Sequence, residues 1–236
     1  MDRGIWATWY DLPEQGKQEH LSWLHERYIP RMLTRSGYLW AAHVENLMPV
    51  ERETAIHRRL VHTEDPAIGT GNQYLLLFGA PSPTVFVAPT SAEMTADLAA
   101  YDLDMLGRRA GTRSCTFLEV ERVAGPEVKQ RAPGLTPGPV VQLGTFNINS
   151  LQNEDELNAW YTRSRLPLMA PMPGCVGARK LVTISGWAKH AILYEFTSLE
   201  LVEKHFQDTS EWTEKVIKNL IHAPHSPSIG VRIWPR

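Results

Sequence analysis

One segment of this chain occurs twice. Trp23–Ala41 (WLHERYIPRMLTRSGYLWA) returns as Trp160–Ala178 (WYTRSRLPLMAPMPGCVGA), and at an offset of 137 residues the match runs without a gap from Ile5 to Glu45. Identities fall at Thr8/Thr145, Gln15/Gln152, Glu19/Glu156, Trp23/Trp160, Pro30/Pro167, Met32/Met169, Gly37/Gly174 and Ala41/Ala178. An internal repeat of this size means that one structural unit was copied and fused. The 236 residues therefore divide into two similar units rather than one large irregular domain.

The elements of each unit follow from pattern. Ile5–Leu12 is β-branched and aromatic and reads as a strand. Glu14–Leu33 reads as a helix with an inward stripe of Leu21, Leu24, Tyr28 and Met32, and Pro30 loosens its last turn. Gly37 releases the chain into a strand at Tyr38–Leu47. A long connection, 48–73, leads to a buried strand at Tyr74–Phe78. Thr90 and Glu93 form a capping box for a helix reaching about Arg108, and Ser114–Val123 alternates like a strand. The second unit repeats this order. Its strands are Val140–Ile148, Cys175–Ile184, His190–Phe196 and Ser228–Trp234, and its helices are capped by Asn153 with Glu156 and by the Thr197–Glu200 box. The expected organisation is a first unit at 1–124, a Pro- and Gly-rich linker at 125–139 and a second unit at 140–236. From the second helix onward the copies align at an offset of 107, so the first unit carries 30 extra residues between its second strand and second helix, most of them in 48–73. Such an insertion serves as a lid or binding loop, or as a spacer or interface arm.

A βαββαβ unit is a four-stranded antiparallel sheet with both helices on one face. Its other face is apolar and must be covered. Two fused copies can cover each other and close a barrel. The expected fold is α+β, with two tandem ferredoxin-like units whose antiparallel sheets pack into an α+β barrel. Composition narrows the partners. Net charge is −2 with no basic run, which argues against a nucleic-acid surface. No apolar stretch is long enough to span a bilayer, and the N-terminus lacks the apolar core of a signal peptide. Cys115 and Cys175 lack metal-ligand spacing and read as free thiols in a reducing cytoplasm.

Near the end of the first helix of each copy stand Tyr28-Ile29-Pro30 and Arg165-Leu166-Pro167, followed by Ser36-Gly37 and Pro173-Gly174 at the entry to the second strand. In topology and in these motifs the chain resembles the dimeric α+β barrel superfamily, and within it the EthD-type proteins. Their His-x-Pro corresponds to the two triplets, with Tyr28 and Arg165 in the place of the histidine. The resemblance implies a small-molecule enzyme, cytoplasmic and homo-oligomeric, with a pocket bordered by the end of the first helix or inside the barrel. It also implies a haem alternative, since chlorite dismutase-like members carry two such units.

Candidate chemistry concentrates in the first unit. His43 lies on the second strand two residues before Glu45, where it can act as a general base held by an acid or pack as a half-buried strand histidine. His25 is three residues before Tyr28 on the helix, so their side chains can meet. Tyr28 can donate to a substrate oxygen or fill core. Tyr10 and Trp40 can clamp a planar substrate or simply pack. Arg58, Arg59 and His62 on the insertion can contact an anion or be solvated. The spacing of His57 and His62 is poor for a metal, and none is expected. Arg165 and Arg179 can together receive a carboxylate, unless Arg179 pairs with Glu195. Gly69-Thr70-Gly71 precedes a strand rather than a helix, and no Gly-x-Ser-x-Gly elbow is present, so nucleotide enzymes and ordinary serine hydrolases are disfavoured. The expectation is acid–base chemistry on an aromatic or polyketide-like molecule (isomerase, cyclase or lyase, or else a monooxygenase) with no cofactor. Haem held by His190 or His205 is one alternative, and a non-catalytic binding module is the other.

Overall fold

The structure is a computed structural model that describes residues 1–47, 60–96, 98–130, 137–207 and 210–236. β1 (Gly4–Asp11) leads into one continuous helix made of α1 (Lys17–Trp23), a π-helical turn at Leu24–Tyr28 and α2 (Ile29–Leu33). β2 (Trp40–Asn46), the two-residue β3 (Val61–His62) and β4 (Tyr74–Ala80) follow, then α3 (Ser91–Ala96), α4 (Ala100–Gly107) and β5 (Ala110–Ala124). The second half runs β6 (Val140–Ile148), α5 (Glu154–Trp160), a π-helical turn at Tyr161–Arg165, α6 (Leu166–Met169), β7 (Cys175–Ser185) and β8 (His190–Phe196). It ends with α7 (Leu199–His205), α8 (Glu211–Ile217), β9 (Leu220–His222) and β10 (Ser228–Trp234).

The sheet order β10-β2-β4-β1-β5-β7-β8-β6 closes on itself through antiparallel pairing of β10 with β6. Each half supplies four adjacent strands in ferredoxin-like order, and β5–β7 and β10–β2 are the two seams. The fold is thus the tandem ferredoxin-like α+β barrel expected from the sequence. Three apolar cores result. One fills the barrel, with Ile5, Ala7 and Trp9 from β1 and Leu181 and Leu193 from across it. The other two lie between each half-sheet and its own helices. Strand alternation sorts β1 between them, since Trp6 and Tyr10 point at the helices.

Pro30 and Pro167 explain the π turns. Proline has no N–H to donate and its ring crowds the carbonyl four residues back. The helix widens just before it, and Ile29 N–H donates to Leu24 O, as Leu166 N–H does to Tyr161 O. The loosening expected in the last turn thus falls in the middle of the helix. It also corrects the inward face. At about 100° per residue, Ile29 would sit about 140° from Leu24 on a regular helix, and one extra residue per turn brings it to about 40°. Trp23, Leu24, Ile29 and Met32 are then all buried together.

Other expectations change. The second helix of each half is broken in two, as α3/α4 and α7/α8. Thr90 and Glu93 do cap each other, and Ser198 caps α7 by accepting from Leu201 N–H. Asn153 makes no side-chain cap. The ungapped match is one residue out of register in the first strands. Thr8 shares the side of Tyr10, whereas Thr145 lies opposite Ala191 of the barrel core. Of the insertion, residues 48–59 lie outside those described, and β3 runs parallel to β9 of the other half.

Candidate functional site

The space between the helices and sheet of the first half holds a file of polar rings. Tyr10 comes from the end of β1, His43 from the middle of β2 and His25 from the π turn. The Tyr10 hydroxyl is 2.8 Å from His43 Nε2, and His43 Nδ1 is 2.8 Å from His25 Nε2. Tyr10 and His43 are fully buried and His25 is half-buried. Tyr74 stacks against His43, and His20 of α1 tilts against Tyr10. The Arg109 guanidinium lies 4.5 Å above the Tyr10 ring and 5.7 Å from that of Tyr28.

Burial governs the protonation of the group. It pushes the Tyr10 hydroxyl up to about 12 and raises that of Tyr28. It holds His43 well below the usual imidazole range, helped by the repulsion a second proton would meet from His25, from the charge of Arg109 and from His20. His25 is lowered by burial and then by Arg236, and His20 falls to about 4 by burial and then Arg109. His20 is fully buried and its ring nitrogens make no well-formed hydrogen bond, although the Met105 backbone lies close enough to favour its charged form. The histidines are therefore neutral at pH 7. A neutral imidazole has one donor and one acceptor nitrogen, so the file can carry its hydrogens in either direction.

Beside this file is a cavity of about 250 Å³. Its apolar walls include Trp6, Met32, Met94 and Leu98, its polar ones Thr8, Tyr28 and Ser114. Arg31, Arg35 and Arg109 also line it, and among the described residues no carboxylate does. Tyr28 and Arg109 are shared between cavity and file. Arg109 Nε and Nη2 are shut off from water and have no hydrogen-bond partner. Sequence reasoning missed Arg109, because an Arg-Arg pair at a helix end reads as charge facing the helix dipole. Only Arg108 fits that description, bonding Asp104 and Glu19.

The other sequence candidates are scattered. Trp40 points into the barrel and donates to Asp2 Oδ2 at 2.8 Å, so it does not form a clamp with Tyr10. The carboxylate expected on His43 is elsewhere, since Glu45 accepts from Tyr74 instead at 3.3 Å. Arg165 lies in the second half, where it donates to the Tyr194 hydroxyl at 2.9 Å and covers the Phe206 ring. Arg179 is inside the barrel, bound to Asp2 and, at 2.5 Å, to Glu119. Arg165 and Arg179 thus belong to different cores and share no carboxylate, and neither of the carboxylates on Arg179 is Glu195. His62 donates to Ser226 O at 2.7 Å, on the second half. Arg58 and Arg59 lie outside the described residues. Among the described residues no group of three His, Cys, Asp or Glu side chains could hold a metal, and no helix is long and apolar enough to cross a membrane.

No protein-family model matches the chain, and no curated protein matches it. Solved structures do share the fold over nearly all of it. An anthrone oxidase-like protein superposes with a TM-score of 0.61 at 10% identity, covering 98% of this chain and 91% of that one. A dye-decolorizing peroxidase from Bacteroides thetaiotaomicron VPI-5482 gives 0.56 at 8% identity, covering 98% and 93%. A chlorite dismutase from Candidatus Nitrospira defluvii gives 0.50 at 8% identity, covering 98% and 92%. At such identities the likeness is one of fold. It nonetheless corrects the expectation that no cofactor is used, because the last two are of the haem-binding kind. Whether haem suits this chain rests on its own residues, and among those described the cavity beside the file does not fit it. The cavity is small and lined by no histidine, and both ring nitrogens of His43 are engaged. His190 is buried with Nε2 on Glu154 and Nδ1 unpartnered, and the Arg165 guanidinium lies over the Tyr194 and Phe206 rings.

Proposed function

We propose that this protein is an enzyme that moves protons on a small aromatic or polyketide-like molecule held between the helices and sheet of its first half. The reaction class is isomerisation, cyclisation or lyase-like cleavage. The observation that carries this reading is the buried file Tyr10–His43–His25, kept neutral and directly hydrogen-bonded from end to end. A proton accepted at one end of such a file is matched by one released at the other, with no charge left in the interior. His25, the half-exposed member, is the one that exchanges its proton with the bound molecule or with water. Tyr28, which takes the place of the histidine in the EthD-type triplet, lines the cavity and donates to a substrate oxygen. Arg109 offsets negative charge as it develops there, in surroundings where water does not screen it. Every residue in this scheme comes from one chain, so a homo-oligomer is not required to complete the site.

The test is turnover of a panel of aromatic lactones and polyketide-like compounds by the protein and by His43→Phe, which keeps a ring in place. General acid–base catalysis contributes about 10²- to 10⁴-fold, so the variant should lose at least about 100-fold in kcat. Turnover unchanged in His43→Phe would sink the proposal.

A further inference from the structure

We infer that the cavity of the first half takes a small organic carboxylate with about one ring, and that Arg109 receives the carboxylate. This rests on the reading of the cavity as a substrate site and narrows it to a ligand class.

Charge is the first argument. Three arginines line the cavity and, among the described residues, no acid does. Arg31 is already engaged, its Nη1 lying 3.2 Å from Asp102 Oδ2. Arg35 and Arg109 form no ion pair among the described residues, so the cavity holds an excess of about two positive charges. An anion relieves that excess and a neutral molecule does not.

Geometry is the second. The two unpartnered nitrogens of Arg109, Nε and Nη2, form the edge that binds a carboxylate side-on through two parallel hydrogen bonds. The protein uses the same edge elsewhere. Arg122 donates from Nε to Glu119 Oε1 at 2.9 Å and from Nη2 to Glu119 Oε2 at 2.7 Å. On Arg109 the edge is empty and shielded from water, and the inference requires it to turn toward the cavity that the residue lines.

Size is the third. A cavity of about 150 Å³ accommodates benzene. About 250 Å³ admits one ring with a carboxylate and a small substituent, but not a multi-ring polyketide. Trp6, Met32, Met94 and Leu98 offer that ring an apolar seat.

The experiment is calorimetric titration with benzoate and with the neutral isostere benzamide at pH 8, on the protein, on Arg109→Gln and on His43→Phe. The protein should bind benzoate at least about tenfold more tightly than benzamide, as expected for a charge-assisted pair. Arg109→Gln should lose that preference, and His43→Phe should keep it. Equal affinity for the two compounds, no binding of benzoate, or an undiminished preference in Arg109→Gln each overturns the inference. The first comparison needs no variant and survives any folding defect. Binding of benzoate without turnover of any related acid would leave this inference standing and count against the enzyme.

Discussion

Lowering the pH should unfold this protein through its buried histidines, and His20 allows the effect to be worked out. In the unfolded chain an imidazole titrates near 6.5, whereas burial and the neighbouring Arg109 bring His20 down to about 4 in the fold. Between these values the unfolded state binds a proton that the folded state refuses. The stability tied to His20 is intact above pH about 6.5. It falls by about 1.4 kcal/mol per pH unit below it, and about 3 kcal/mol is gone near pH 4. His43 and His25 shift in the same direction and steepen the slope. Urea unfolding from pH 7.5 to 4.5 measures the slope in the parent and in His20→Leu. The variant removes one titrating group and two unpaired ring nitrogens, so it should cost little at pH 7.5 and flatten the curve by about one proton. A variant as acid-sensitive as the parent would show that His20 is protonated, or exposed, in the folded state.

Three further outcomes follow from contacts described above. Tyr10→Phe leaves His43 Nε2 buried without a partner and should cost about 1–3 kcal/mol by chemical denaturation, with lower activity. Arg179→Met removes one of the two arginines that Asp2 and Glu119 share, leaving Arg122 on both, and should cost roughly 1–3 kcal/mol at pH 7. Gly79→Ala drives a methyl to within 2.0 Å of the Trp40 ring and should lower the melting temperature through about 1–3 kcal/mol of overpacking.

The helices carried the repeat most legibly, because their constraints are local. Trp23 and Trp160 occupy equivalent places and anchor equivalent partners, donating to Asp102 and Thr213 at 2.8 and 2.9 Å. A proline at the same position in each copy gives a π turn in each. The strands carried it less well. A one-residue slip reverses which face a side chain occupies, and Thr8 and Thr145 are identical residues with opposite surroundings. The candidate site was legible in its membership. His43, His25, Tyr10 and Tyr28 were all singled out from the sequence, and the structure gathers them into one place. Their bonding was not legible. Proximity in sequence suggested Glu45 as the partner of His43, but in a strand the nearest neighbour in space comes from another strand or from the helix above it. Arg109 and Arg179 illustrate the same limit. Their setting depends on chain closure over long separations, and no local pattern announces it.

The seam between β2 and β10 bears on how the chain is made. β10 occupies the edge of β2, and it leaves the ribosome long after β2 does. Roughly 190 residues separate the two, so at about 5–20 residues per second the first half waits some 10–40 s with that edge bare. An open edge is a template for any other strand, including the same strand on a neighbouring nascent chain. The crowding of polysomes and the supply of chaperones should therefore decide how much of the chain reaches the closed barrel, even though the finished barrel leaves neither seam unpaired.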